Sequence, residues 1–112
     1  RKASAAGNPA RIINIGSVAG EISNSMSAYP YGLSKGAVHQ MTRMLAIEWA
    51  EHGIRINCIN PGATRTRMRA NAYPGEDPAT LPSPEAILNL YCYLMGKDSA
   101  GVTGQSLDAQ PK

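Results

Sequence analysis

The sequence has no phenylalanine, one tryptophan and five tyrosines, so aromatics make up only 5% of its 112 residues. Nucleic-acid surfaces combine long basic stripes with stacking aromatics. Here the densest basic stretch is Arg65, Arg67 and Arg69, with no aromatic between them, and nucleic-acid binding is not expected. The net charge of +3, from 11 basic and 8 acidic residues, is what an ordinary solvated surface carries. Cysteine and histidine number two each. Cys58 and Cys92 lack metal-ligand spacing and a histidine cluster, so reduced, buried thiols are expected and no metal. Glu48, Glu51, Asp77 and Asp108 form no spaced pair suited to glycoside or metal chemistry. No signal peptide, membrane-length apolar run or solenoid repeat is present. The expected setting is cytoplasmic and reducing, with no membrane partner.

What is present is a chain able to build a core, with 43% hydrophobic residues and scattered rather than periodic glycine and proline. Residues 11–16 (RIINIG) and 54–59 (IRINCI) are short β-branched runs that predict buried strands. Between them, Leu33, Ala37, Met41, Met44, Leu45 and Trp49 recur at spacings of three and four. That period predicts a helix from about Ala28 to His52, stopped by Gly53, with these residues as core or interface. An irregular stretch runs from Asn60 to Pro82. Ser83-Pro84-Glu85 predicts a helix start and Gly96 its end, before a last strand within 101–109. Met41, Met44, Met68 and Met95 read as gap-filling apolar positions. The order β-α-β-loop-α-β implies a parallel sheet with helices packed on it. Its first strand needs a neighbour on the outer edge, so further structure on the N-terminal side is expected.

Tyr31 and Lys35 are four apart, which places them one turn apart on a shared helix face. An ammonium beside a phenol stabilises the phenolate and readies the pair for proton exchange with a substrate oxygen. Alone this spacing is common in helices. Ser17 closes the first strand in NIGSVAG, where the C-terminal ends of parallel strands present ligand-contacting groups. A hydroxyl there can donate to a developing alkoxide. Asn60-Pro61-Gly62 falls at the end of the next strand on the same rim, followed by Thr64 and Thr66. His39 reads as a polar residue of the helix face and His52 as a cation near the helix end, neither catalytic.

The order Ser, Tyr-x-x-x-Lys, Pro-Gly-x-x-x-Thr, written here as INIGSVAG, YGLSK and RINCINPGATRT, resembles the short-chain dehydrogenase/reductase family over essentially the whole chain. The resemblance implies an α/β fold, the C-terminal catalytic part of a Rossmann-type doubly wound parallel sheet in three layers, spanning residues 1–112. It implies that Ser17 orients the substrate carbonyl oxygen, that Tyr31 is the general acid/base, and that Lys35 lowers the tyrosine pKa and binds the nicotinamide ribose. Pro61, Gly62, Thr64 and Thr66 match the segment that wraps the nicotinamide, with Thr66 near its carboxamide. Residues 67–82 match the substrate-binding loop. Helix 28–52 matches the one that often builds a homodimer or homotetramer interface. The cofactor implied is NADP or NAD, with NADP favoured by the reductase likeness, and the partner is a small carbonyl or alcohol substrate.

Within the family, NPARIINIGSVAG with AYPYGLSKGAVHQ is similar to β-ketoacyl reductases, and GATRTRMRANAYPGEDP with the ending LDAQP to bacterial oxoacyl-carrier-protein reductases. Both point to a 3-oxoacyl or similar ketone. Ser17 and Tyr31 are 14 apart, one more than the family's commoner spacing. The glycine-rich TGxxxGxG turn, the NNAG segment and the catalytic asparagine of the family are absent. All belong upstream of residue 1, in about 130 further residues judged by ordinary domain size. A second reading is therefore a truncated or non-enzymatic member that uses the long helix for binding or dimerisation. A third is an epimerase or dehydratase on the same scaffold.

Overall fold

The computed structural model of the chain describes Lys2, residues 9–20 and residues 29–110. Its sheet has three parallel strands in the order β1-β2-β3: β1 Arg11–Ile15, β2 Arg55–Asn60 and β3 Ser106–Asp108. Arg11 pairs with Arg55 and Ile15 with Ile59, while Cys58 pairs with Ser106 and Asn60 with Asp108. Between β1 and β2 runs α1, Tyr29–Trp49, continued by the 3-10 turn Ala50–His52 and stopped at Gly53. Between β2 and β3 lie α2, Arg67–Ala72, and α3, Leu88–Met95. Strands in parallel, joined through helices packed on them, make the partial Rossmann-type α/β fold that the sequence predicts.

β2 is the central strand, and Ile56 through Asn60 are all buried along it. Two of those five residues are asparagines, and their carboxamides join the sheet's hydrogen bonding. Asn57 Nδ2 donates to Val102 O at 2.9 Å and its Oδ1 accepts from Gln105 N at 3.1 Å, so the side chain bridges to the approach of β3. Asn60 Nδ2 donates to Asp108 Oδ1 at 3.0 Å. Arg55 reaches across to the 3-10 turn Lys97–Ser99 that follows α3, donating to Ser99 Oγ at 2.7 Å and to the Ser99 carbonyl. β1, expected to be a buried strand, is only half-buried, and among the described residues no strand pairs with its outer edge.

Four expectations are corrected. The stretch after Asn60 holds a helix, α2, whose sequence RMRANA has no apolar stripe to announce it. It is held instead by Thr66, whose hydroxyl accepts from Arg69 N at 3.1 Å, and by the Arg69–Glu76 ion pair. At Ser83 the chain first forms a 3-10 turn, Pro84–Ile87, with Ser83 as its cap, and becomes α-helical only at Leu88. Cys92 is exposed, because α3 turns Leu94 to the sheet and Cys92 lies two residues off that line; Cys58 is buried as expected. The third and fourth corrections share a cause: Met41, Met44, Met68 and Met95 are exposed too, on helix surfaces that nothing described covers.

Helix α1 shows the same reversal most clearly. Its buried residues are His39, Thr42 and Ala46, while Tyr29, Leu33, Met44 and Ile47 stand exposed. The apolar period marks its outward face, and the sheet side is fastened by polar contacts. Asn14 Nδ2 donates to Thr42 Oγ1 at 3.0 Å, and that hydroxyl donates back to Val38 O at 2.8 Å.

Candidate active site

The C-terminal ends of β1, β2 and β3 lead into three segments that share one rim: Gly16–Gly20, Pro61–Thr66 and Ala109–Gln110. Gly16 N donates to Ile59 O at 2.8 Å, carrying the ladder one residue beyond β1. The chain then turns through Val18–Gly20, with Gly20 N donating to Ser17 O at 2.9 Å. This turn lies directly on α1. A Cβ at Gly20 would sit 2.6 Å from the Lys35 backbone carbon, and one at Gly16 would collide with Cys58 Sγ and stand 2.8 Å from His39 Nε2. Only glycine fits that approach.

Tyr31 and Lys35 sit on the first turns of α1, beside this turn. Lys35 Nζ donates to Ile15 O at 3.1 Å and lies 5.8 Å from the centre of the Tyr31 ring. The ammonium is thus anchored to the end of β1 within electrostatic reach of the phenol. Tyr31 keeps 44% of its surface open, so its side chain is available to a ligand on the rim. Lys35 reaches the end of β1 at Ile15, two residues before Ser17, and Tyr31 lies beside the Lys35 ammonium. The extra residue between Ser17 and Tyr31 and the predicted helix start at Ala28 fall in 21–28, outside the described residues.

The second segment leaves β2 at Asn60. Gly62 takes φ +77°, which a side chain would strain, and Thr64 is buried with its hydroxyl donating to Gly62 O at 3.1 Å. Gln110, after β3, closes the loop: its Nε2 donates to Pro61 O at 2.9 Å and to Ala63 O at 2.8 Å. Thr66 is exposed, and its hydroxyl caps α2. Pro61, Gly62 and Thr64 therefore form one clamped loop, while Thr66 is tied to the helix that follows.

Residues 67–82 form a self-bonded segment that follows the rim loop. Arg69 grips Glu76 through both carboxylate oxygens at 2.9 and 3.0 Å and stacks on Tyr73, 3.8 Å from the ring centre. Arg65 donates to Pro78 O and Leu81 O, each at 3.0 Å. The hydrogen bonds from Arg69, with its charge adding, hold the Glu76 carboxyl below the usual carboxylate range. In α3, burial pushes the Tyr91 phenol up.

Two residues of the rim escaped the sequence reading. His39 is buried rather than a polar residue of an open helix face, and its ring reaches Ser17. Its signal was the stripe Tyr31, Lys35, His39, at successive spacings of four. Gln110 had no signal at all, since its role depends on β3 ending beside the Pro61 loop. Among the described residues no group of His, Cys, Asp or Glu could hold a metal ion, and no helix is long and apolar enough to cross a membrane.

Comparison with known proteins matches this chain to a family. The family model described as enoyl-(acyl carrier protein) reductase matches residues 1–110. The chain is 52% identical over 81 residues to the uncharacterised oxidoreductase YciK of Escherichia coli K12, covering 72% of this chain and 32% of that protein. It is 40% identical over 114 residues to the rhamnolipids biosynthesis 3-oxoacyl-[acyl-carrier-protein] reductase of Pseudomonas aeruginosa, covering 93% of this chain and 44% of that one. A short-chain dehydrogenase of Shigella flexneri 2a, solved in complex with NADP, superposes with a TM-score of 0.85 at 44% identity over 90% of this chain and 41% of that chain. The chain thus spans less than half the length of these relatives. The motif order, the parallel sheet and these matches together place it in the short-chain dehydrogenase/reductase family.

Proposed function

We propose that this chain is the catalytic part of an NAD(P)-dependent oxidoreductase that interconverts a carbonyl and a secondary alcohol, with NADP as the preferred cofactor. The observation that carries the reading is the Lys35 ammonium, fixed to Ile15 O beside the open Tyr31 ring at the rim. The residues suit the nicotinamide half of the cofactor. Lys35 offers hydrogen-bond donors for a ribose, and the loop Pro61–Thr64 offers backbone groups held in place by Gln110. Gly62 is a position where backbone lies close to its neighbour, with Gln110 only 2.9 Å from where a Cβ would stand. A bound nicotinamide supplies the hydride chemistry.

The chain's own residues then divide the remaining work. Tyr31 holds the proton that moves to or from the substrate oxygen. The Lys35 ammonium stands beside the ring as that proton moves, and Ser17 donates a hydrogen bond to the oxygen as its charge develops. Thr64 and Thr66 would offer backbone groups to the nicotinamide carboxamide, their hydroxyls being held by Gly62 O and Arg69 N. Residues 67–82 cover the substrate, whose class we infer to be 3-oxoacyl or a related ketone, as in the named activity of the Pseudomonas relative. The exposed apolar side of α1 supports a homodimer or homotetramer built through helix 28–52.

That same side favours one alternative, a non-enzymatic member that uses α1 as a binding module. Cofactor titration of the intact protein separates the two, read by calorimetry or by Trp49 fluorescence and followed by loss of NADPH absorbance with a 3-oxoacyl thioester. Saturable binding, tighter for NADPH than for NADH, and ketone-dependent oxidation are expected. A protein that binds neither nucleotide contradicts the reading.

A further inference from the structure

His39 is a buried imidazole that none of the roles above employs. It is 1% exposed, and both ring nitrogens are engaged. Nε2 lies 2.9 Å from Ser17 O, and Nδ1 lies 2.8 Å from Ser106 Oγ. With the proton on Nε2, the ring donates to the Ser17 carbonyl and accepts at Nδ1 from the Ser106 hydroxyl. With it on Nδ1, the ring donates to Ser106 Oγ and Nε2 accepts from Ser17 N at 3.4 Å, so either tautomer bonds the Ser17 backbone. The bridge therefore runs from β3, through α1, to Ser17, the second residue after β1.

The carbonyl it reaches is a hinge point. Ser17 O already accepts from Gly20 N at 2.9 Å, so with Nε2 protonated both of its lone pairs are used. Fixing that carbonyl fixes the Ser17 backbone torsion and with it the direction of the Cα–Cβ bond. One turn earlier on the same helix, Lys35 Nζ donates to Ile15 O at 3.1 Å. Lys35 and His39 thus hold alternate carbonyls of the same strand end. The glycine at position 16 leaves the imidazole room to do so, since a Cβ there would stand 2.8 Å from Nε2.

We infer that His39, seated on Ser106, is a positioning residue that sets the Ser17 backbone for its donation to the substrate oxygen. The inference rests on the proposed role of Ser17. It adds a determinant outside the Ser-Tyr-Lys set, and His39 acts through Ser17 without touching substrate.

A double-mutant cycle in the intact protein tests it. His39→Leu is expected to lower kcat for ketone reduction roughly 10- to 100-fold, the range a displaced catalytic group costs, with the NADPH Kd within about twofold. In a Ser17→Ala background the same substitution is expected to cost less than about twofold, because the group it positions is gone. His39→Gln, which can place an amide N–H near Ser17 O, is expected to recover most of kcat. Ser106→Ala is expected to give a smaller loss than His39→Leu and covers the case in which the leucine variant does not fold. If Ser17→Ala leaves turnover intact, the site reading falls and this inference with it. If Ser17→Ala lowers turnover measurably while His39→Leu or Ser106→Ala costs the same factor in both backgrounds, or changes only melting temperature, the inference alone is overturned.

Discussion

On one side of α1, Lys35, His39, Thr42 and Ala46 meet the strand ends; on the other, Tyr29, Leu33, Met44 and Ile47 stand open, Ile47 at 82% exposure. The inner side is the more polar of the two, yet it is the one that is buried. Each of its polar groups has a fixed partner: Ile15 O for Lys35, Ser17 and Ser106 for His39, Asn14 and Val38 for Thr42. Buried polar groups with full hydrogen bonding specify one arrangement, because any slip leaves them desolvated and unpaired. The outer side is apolar and needs no particular register with this sheet. The helix therefore separates precision from adhesion, one on each face.

This difference can be tested by exchanging the properties of the two faces. The largest effect on stability is expected at Ala46, which is 5% exposed with its Cβ 3.1 Å from the position of a Cβ at Gly104. Ala46→Leu has no space to fill and is expected to cost about 1–3 kcal/mol, seen as a lower urea midpoint of the intact protein at unchanged slope. On the open face, Leu33→Lys with Ile47→Glu is expected to change protomer stability by less than about 0.5 kcal/mol. The same pair is expected to weaken self-association by roughly tenfold or more in sedimentation velocity, since charge replaces apolar area. Unaltered association would remove α1 from the interface.

The smallest effect lies beyond the helix, in the Arg69–Glu76 clasp of the 67–82 segment, where both side chains remain partly solvated. Glu76 has a native pKa below its ordinary 4.5, so the clasp contributes fully above that value and is lost as pH falls through the depressed native one. Amide exchange across Arg69–Glu76 is expected to quicken in that acidic window, while exchange in β2 stays slow. Glu76→Gln is expected to show the faster exchange at neutral pH and no acid step. Exposed ion pairs are weak, and a small change is the expected one.

Much of this was legible in the sequence. The runs RIINIG and IRINCI fall on β1 and β2 to within a residue, because β-branched runs between turn residues suit a covered parallel strand. The stop at Gly53 and the cap at Ser83 were legible for the same local reason. What periodicity could not reveal was direction: it found the stripe through Leu33 and Met44 but not that the stripe faces away from the sheet. α2 was invisible because a hydroxyl cap and an ion pair, not an apolar face, sustain it. At the site, Tyr31 and Lys35 were readable as a helical spacing, whereas His39 and Gln110 gain their roles from partners 67 and 49 residues away in sequence.

The central claim is that Tyr31, beside an anchored Lys35, exchanges a proton with the substrate oxygen. Its most direct test is Tyr31→Phe in the intact protein, with ketone turnover and NADPH affinity measured on the same preparation. The account predicts that kcat falls on the order of 10²–10⁴-fold, the usual worth of a positioned general acid, while NADPH binding changes by no more than about twofold. Turnover close to that of the unaltered protein would contradict it.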